Sequence, residues 1–215
     1  MQRVIYLRAA DLAAERPPDA GEDVHFHSGL VELVISEFSR PGDVVLDPFA
    51  GYGTTLLVAE RLSRHAVGVE LLEDRVELIR RRLDGRGGVM RGDARRLAEL
   101  INQPIDLCFT SPPYMNAVDH PQNPLSGYQS QDGDYSRYLG ELGSVFRAVA
   151  GLLKPGGHLV VNAATTLTNG VLTPLAWDVA RVASEHVVPT GESILVWDEA
   201  PPWMSVDYLI VFEKR

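Results

Sequence analysis

From Val44 onward, short apolar runs alternate with helix-patterned segments, and this rhythm limits the fold more than any other feature of the chain. Residues 44–46 form an apolar run that ends at Asp47, and a helix pattern follows over 54–62. Residues 66–70 read as a strand, and 73–83 as an amphipathic helix with Val76, Ile79 and Leu83 on one side. A short strand at 88–91 precedes one or two helical turns at 94–101. Residues 105–110 read as a buried strand. The long pattern over 135–153 places Tyr138, Leu142, Val145, Val149 and Leu152 in one stripe. A strand at 158–162 follows a Lys-Pro-Gly-Gly turn, and a helix is expected over 172–184. Ahead of all these, 30–38 has helical spacing, with Ser28 placed to cap it and Pro41-Gly42 to stop it.

Strands alternating with helices imply a parallel sheet covered on both faces. The last two strands, 193–197 and 206–212, leave no room for a helix between them. They predict a terminal hairpin whose final strand runs antiparallel to the rest. The expected fold is α/β: a Rossmann-like methyltransferase fold with a seven-stranded, mostly parallel sheet and an antiparallel last strand. A chain of 215 residues suits one such domain. The division expected is an acidic arm over 1–23 and a methyltransferase domain over 24–215. The arm carries Asp11, Glu15, Asp19, Glu22 and Asp23 and ends in a Pro-rich turn over 17–21.

With one cysteine, Cys108, a disulfide framework is excluded, and the scattered histidines show no metal-ligand spacing, so no metal site is expected. The first residues are broken by charges and prolines, and no stretch approaches the ~20 apolar residues of a membrane span. The expected setting is the cytoplasm, with no membrane partner. Twenty basic against 29 acidic residues leave a formal charge of −9, which argues against nucleic-acid binding through bulk charge.

Three acids fall at successive strand ends, where open parallel sheets bind ligands. Asp47 opens the loop Asp47-Pro48-Phe49-Ala50-Gly51-Tyr52-Gly53-Thr54-Thr55, in which Gly51 and Gly53 allow a tight turn and a close approach to a ligand. The loop lacks the Gly-Lys-Ser/Thr of a phosphate loop and starts with a carboxylate instead. Glu70 ends the second of these strands, about 20 residues on, where ribose hydroxyls are held. Asp93, within Gly92-Asp93-Ala94, is placed to accept from an adenine amino group. Each acid also has a plain structural reading. Asp47 and Asp93 are possible helix caps, and Glu70 belongs to a run with Glu73 and Asp74. Together the three suit a nucleoside ligand that carries positive charge, and S-adenosylmethionine fits better than NAD.

Ser111-Pro112-Pro113-Tyr114 follows the strand at 105–110. Its two prolines remove backbone donors and stiffen the chain, leaving carbonyl acceptors at a strand end. Ser111 Oγ and the Pro112 carbonyl suit an exocyclic amine, and Tyr114 offers a face on which its ring can stack. Cys108 lies inside the apolar strand and reads as core. Asp119 and His120 stand either as relays for a released proton or as loop surface.

These motifs resemble those of the DNA amino-methyltransferases that act on cytosine-N4 or adenine-N6. The loop from Asp47 to Thr55 resembles the family's cofactor motif, and Glu70, Asp93 and Ala94 match its next positions. Phe26-His27-Ser28-Gly29-Leu30 resembles the segment that precedes the cofactor loop, which implies His27 and Ser28 as cofactor contacts. Ser111 to Tyr114 resembles the family's catalytic tetrapeptide, and a leading Ser is commoner in cytosine-N4 members. The Leu-Lys-Pro-Gly-Gly run before the next strand also resembles the family. The resemblance implies S-adenosylmethionine as cofactor and direct methyl transfer to a nucleobase amine, with DNA cytosine-N4 favoured.

Family members usually carry a separate target-recognition domain, and here the strands use up the chain. The spare segment is 115–134, which reads as a loop over the active site and contains no Arg or Lys. Three arrangements answer this. A recognition subunit or a homodimer contributes the missing contacts; the acceptor is RNA or another amine-bearing molecule; or the eight arginines from Arg75 to Arg96 form a local basic patch. Those arginines also read as a solvated helix face paired with Glu73, Asp74, Glu77 and Asp84. An RNA base methyltransferase and a non-catalytic, methyltransferase-like binding subunit remain the rival functions.

Overall fold

The computed structural model describes residues 3–18, 20, 26–118 and 120–215. Asp19, Glu22 and Asp23 of the expected arm, its boundary at 23/24, and Asp119 lie outside the described residues. The strands are β1 Val4–Leu7, β2 Val44–Asp47, β3 His65–Glu70, β4 Gly88–Arg91, β5 Ile105–Thr110, β6 Leu153–Thr168, β7 Val171–Thr173, β8 Val188–Trp197 and β9 Met204–Glu213. The helices are α1 Ala9–Ala14, α2 Ser28–Phe38, α3 Thr54–Arg61, α4 Glu73–Leu83, α5 Leu97–Leu100, α6 Tyr135–Leu152 and α7 Leu175–Ser184.

All seven expected strands join one sheet, in the order β1-β8-β9-β6-β5-β2-β3-β4, with β7 hairpinned onto β6. The fold is Rossmann-like, and β9 runs antiparallel to both its neighbours, as the missing crossover helix requires. Among the described residues the sheet has nine strands rather than seven. Val4–Leu7, within the segment read as an arm, pairs parallel with β8, and Ile5 and Leu7 point into the core while Val4 and Tyr6 face out. Two inward side chains suffice for an edge strand, and the charges that follow mask so short an alternation.

Helices α2, α3 and α4 cover one face of the sheet and α5, α6 and α7 the other. The periodic segments form because their apolar stripes have a sheet to bury against: α6 buries Tyr138, Leu142, Val145, Phe146 and Val149 completely. Burial of that kind is worth roughly 1.5–3 kcal/mol per large side chain. Several boundaries differ from expectation: β6 begins at Leu153, so the expected Lys-Pro-Gly-Gly turn lies within it, β8 begins at Val188, and two further differences have a local cause. His27, not Ser28, caps α2, its Nδ1 accepting the Gly29 amide at 3.1 Å. The last helix starts at Leu175 because Leu172 pairs with Leu167 in the β6–β7 hairpin.

Among the described residues no helix is long and apolar enough to cross a membrane.

Candidate active site at the sheet switch point

Chain order reverses between β2 and β5. The path runs β2, β3, β4 outward on one side, and β5 then lands on the other side of β2. Such a switch point opens a crevice beyond the carboxyl ends of the strands. Asp47 ends β2 and Thr110 ends β5, and Thr110 Oγ1 donates to Asp47 Oδ1 at 2.7 Å. The acid of the glycine loop and the tetrapeptide that begins at Ser111 are therefore neighbours in space. Thr110, which the sequence reading passed over, is the residue that joins them.

Asp47 is 1% exposed and also accepts the Phe49 amide at 3.1 Å. Burial outweighs these bonds and pushes its carboxyl up to about 6. Among the described residues no cation is paired with it. Thr55, buried beside it, has a hydroxyl without a partner of hydrogen-bonding geometry, although it lies near enough to favour the ionised carboxyl slightly. A buried acid lacking a counter-ion, next to an unsatisfied hydroxyl, is a site suited to a cationic, hydrogen-bonding ligand.

The loop that follows is tight. Gly51 and Gly53 have φ of 55° and 82°, Ala50 accepts the Gly53 amide, and α3 starts at Thr54. A Cβ on Gly53 would also sit 2.9 Å from Ile79. Gly53→Ala is expected to lower stability by roughly 2–4 kcal/mol, from left-handed backbone strain plus overpacking, and urea unfolding measures it.

Glu70 is 7% exposed, and burial raises its proton affinity. Its Oε2 accepts the Gly51 amide at 2.8 Å and its Oε1 the Leu72 amide at 2.9 Å, so it faces the glycine loop and is not a solvated member of an acidic run. Asp93 caps the short 3-10 turn over 94–96 by accepting the Arg95 amide, with Ala94 buried behind it. The Arg95 guanidinium grips both its oxygens. Burial opposes ionisation of Asp93, and the Arg95 contacts outweigh it, leaving the carboxyl below its usual range.

His27 and Ser28 sit at the start of α2. Phe26 stacks on Phe109 with ring centroids 4.6 Å apart, which brings this end of α2 to the end of β5. Ser28 donates its amide and its hydroxyl to Glu15, at 2.7 and 2.6 Å.

In the tetrapeptide, the Pro113 carbonyl accepts from the buried Tyr138 hydroxyl at 3.0 Å. Among the described residues the Pro112 carbonyl carries no hydrogen bond, so it is the open acceptor. Ser111 Oγ lies 3.4 Å from the Tyr114 hydroxyl. Burial, and then the charge of Asp207, push that hydroxyl well above its ordinary range. Trp203 meets Tyr114 edge-on, with centroids 6.1 Å apart and planes at 72°, and is 43% exposed. Tyr138 was legible only as part of the core stripe over 135–153, and Trp203 carried no reading. Cys108 is fully buried, and burial raises its thiol well above the reactive range.

The arginines between Arg75 and Arg96 are engaged with neighbours. Glu73 pairs with Arg80 and Arg91, Glu99 with Arg96, and Asp93 and Glu141 with Arg95, while Arg82 donates to the Tyr52 carbonyl. This is the paired-face arrangement, with Glu73 among the expected partners and Glu99, Asp93 and Glu141 beyond those expected.

Residues 24–81 match the model of a family described as "DNA methylase", of the N6/N4 type. The Type II methyltransferase M2.DpnII of Streptococcus pneumoniae is 40% identical over 55 residues, 26% of this chain and 20% of that protein. The match thus spans about a fifth of the curated relative. TrmN from Thermus thermophilus shares the fold at 20% identity with a TM-score of 0.66, over 88% of this chain and 49% of that one. The T. thermophilus 16S rRNA N2 G1207 methyltransferase RsmC, solved in complex with AdoMet and guanosine, shares it at 20% identity with a TM-score of 0.58, over 92% and 45%. The fold is the Rossmann-like one of these methyltransferases, residues 24–81 are similar to the DNA methylase family, and S-adenosylmethionine is the cofactor that this likeness implies. The uncompensated Asp47 and the unsatisfied Thr55 hydroxyl fit that cationic, polar molecule.

Proposed function

Taking membership of the DNA amino-methyltransferase family over residues 24–81 as the premise, we propose that this protein methylates an exocyclic amine of a nucleobase, with cytosine-N4 of DNA the preferred acceptor. The observation that carries the proposal is the Thr110–Asp47 bond, which sets an acid suited to a cation beside a rigid cluster of amine acceptors. Bound S-adenosylmethionine supplies a methyl made electrophilic by its sulfonium. Asp47 balances the cofactor's positive charge, and Glu70 takes its ribose hydroxyls. Asp93 and Ala94 flank the adenine. Phe49, Ala50, Gly51, Gly53, Thr54 and Thr55 wrap it, and His27 and Ser28 close the α2 side.

Ser111 Oγ and the Pro112 carbonyl accept from the amine. That draws its nitrogen toward a pyramidal geometry and frees the lone pair otherwise conjugated into the ring. Tyr138 fixes the tetrapeptide by holding the Pro113 carbonyl, so the acceptors need no reorganisation when the amine reacts. Tyr114 stacks on the base, and Trp203, at nearly a right angle to it, closes one edge.

The acidic chain and its paired arginines make weak nucleic-acid binding by this chain alone the natural outcome, with target recognition lent by a partner subunit or a second copy. A cytoplasmic setting suits a chain whose one cysteine is a buried thiol. The test is a nucleoside digest of DNA and RNA after incubation with labelled cofactor. N4-methylcytosine in DNA is the expected product. N6-methyladenine, or label confined to RNA, would move the acceptor, and label in neither would sink the nucleic-acid assignment.

A further inference from the structure

Loop 115–134 is pinned over the site rather than draped across it. Met115 and Leu125 are buried in the core beneath α6. The base of the loop is pinched where the Gly133 amide donates to the Pro121 carbonyl at 2.9 Å, and any Cβ on Gly133 would run into the His120 carbonyl. The tip reaches the residues that follow Glu70: a Cβ on Gly127 would lie 3.3 Å from both Leu71 and Leu72. The loop therefore spans from the acceptor tetrapeptide to the ribose side of the pocket.

A chain of polar bonds runs beneath it. Asn123 is 1% exposed; its Oδ1 accepts the Leu125 amide at 2.9 Å, and its Nδ2 donates to Glu141 Oε2 at 3.0 Å. The same Oε2 accepts from Arg95 Nη1 at 3.0 Å. The other guanidinium nitrogens of Arg95 hold Asp93, Nε to Oδ1 at 2.9 Å and Nη2 to Oδ2 at 2.6 Å. Glu141 Oε1 accepts from Arg137 Nε at 3.0 Å, and Arg137 Nη1 pairs with Asp132 near the loop's far end at 2.9 Å. One carboxylate thus touches the loop directly at Asn123, its end through Arg137, and the adenine-side acid through Arg95.

We propose that Glu141 is a positioning residue that couples the acceptor loop to the cofactor pocket, so that cofactor and nucleic-acid acceptor strengthen each other's binding. The proposal rests on the methyltransferase reading above. A carboxylate offers about four acceptor sites, and Asp93 already gives its own to Arg95. A ligand amino group that claims one of them loosens the Arg95–Asp93 grip and shifts the guanidinium toward Glu141. The Glu141–Asn123 end is drawn in with it, and the loop is held in its closed position. Linkage makes the effect reciprocal: an acceptor that holds the loop down strengthens the cofactor by the same factor.

The experiment measures the affinity of a mixed-sequence single-stranded oligodeoxynucleotide by fluorescence anisotropy, with and without saturating S-adenosylhomocysteine. Wild type, Glu141→Gln and Asn123→Asp are compared. Asn123→Asp keeps an acceptor for the Leu125 amide and sets a like charge against Glu141, so it opens the link without touching Glu141 itself. In wild type, S-adenosylhomocysteine is expected to tighten the oligonucleotide about tenfold, and in either variant less than about twofold. Calorimetric affinity for S-adenosylhomocysteine alone should stay within about threefold across all three, with matching melting temperatures showing that the variants are folded. Tenfold coupling that persists in a folded variant overturns the proposal. So does wild type that binds S-adenosylhomocysteine but shows no coupling or no oligonucleotide binding, and in that case the cofactor reading stands. Wild type that does not bind S-adenosylhomocysteine removes the methyltransferase reading and this proposal together.

Discussion

Asp47→Asn is expected to abolish S-adenosylhomocysteine binding and, in the same protein, to raise the stability of the unliganded chain at neutral pH. The two effects share one cause. The folded protein holds the Asp47 carboxyl at about 6, against 3.8 for an ordinary aspartate. Between those values the folded state keeps a proton that the unfolded chain has lost, so stability falls as pH rises from about 4 to about 6. Below that window both states are protonated and there is no penalty; above it the penalty is complete. Two units correspond to roughly 3 kcal/mol. An amide at this position carries no charge to desolvate, keeps an oxygen for the Thr110 hydroxyl and the Phe49 amide, and offers an N–H to Thr55. The stability gap between variant and wild type should be near zero at pH 4 and about 3 kcal/mol at pH 7, by urea unfolding across that range. The affinity lost should be at least about a hundredfold, the cost of leaving a ligand ammonium in a buried site without its counter-charge. In wild type, affinity should climb with pH through about 6, as the carboxyl ionises. Binding by Asp47→Asn close to wild type, or a flat difference in stability between pH 4 and 7, would remove Asp47 from the cofactor site.

The second large effect belongs to Ser111. In the proposed mechanism its hydroxyl and the open Pro112 carbonyl are acceptors that gain strength only as the amine nitrogen changes geometry, so their loss falls on the chemical step. Ser111→Ala should reduce single-turnover methyl transfer by about a hundred- to a thousandfold while leaving S-adenosylhomocysteine affinity unchanged. Tyr114→Ala should weaken acceptor binding by about ten- to a hundredfold through lost stacking, and Tyr114→Phe should stay near wild type. The hydroxyl of Tyr114 lies far from ionising at neutral pH, so no tyrosine ionisation should appear in the rate profile. A Ser111→Ala enzyme within threefold of wild type would mean that the amine is read by other groups.

Much of this site was readable before any coordinates, because each feature has a local cause. A strand that must stop and turn into a helix needs glycine, and Gly51 and Gly53 announce the turn at Asp47. The stiffness of Pro112-Pro113 marks a rigid strand end, and the stripe on α6 follows its burial. What stayed hidden depends on partners distant in sequence. Thr110 becomes informative only when β5 is known to lie beside β2, and Trp203 only when β9 brings it to Tyr114. Glu141 carried no reading in the sequence, because Asn123 and Arg95 meet it from different elements. The Arg75–Arg96 set was legible as paired, but its partners are set by tertiary contacts more than by helical spacing. Strand β1 was missed because four residues among charges give too short an alternation to read.

That first strand has a consequence for how the chain is made. Val4 pairs with Ile194 and Leu7 with Trp197, so β1 docks against a strand that follows it by about 190 residues in the chain. Ahead of that moment its backbone donors and acceptors have no permanent partner, and the rest of the sheet can assemble from β2 outward without it. In a two-ended clasp of this kind the closing event reports that β8 and β9 are already in place. That edge of the sheet is thus closed by a contact of very long sequence separation, made after β8 and β9 have formed.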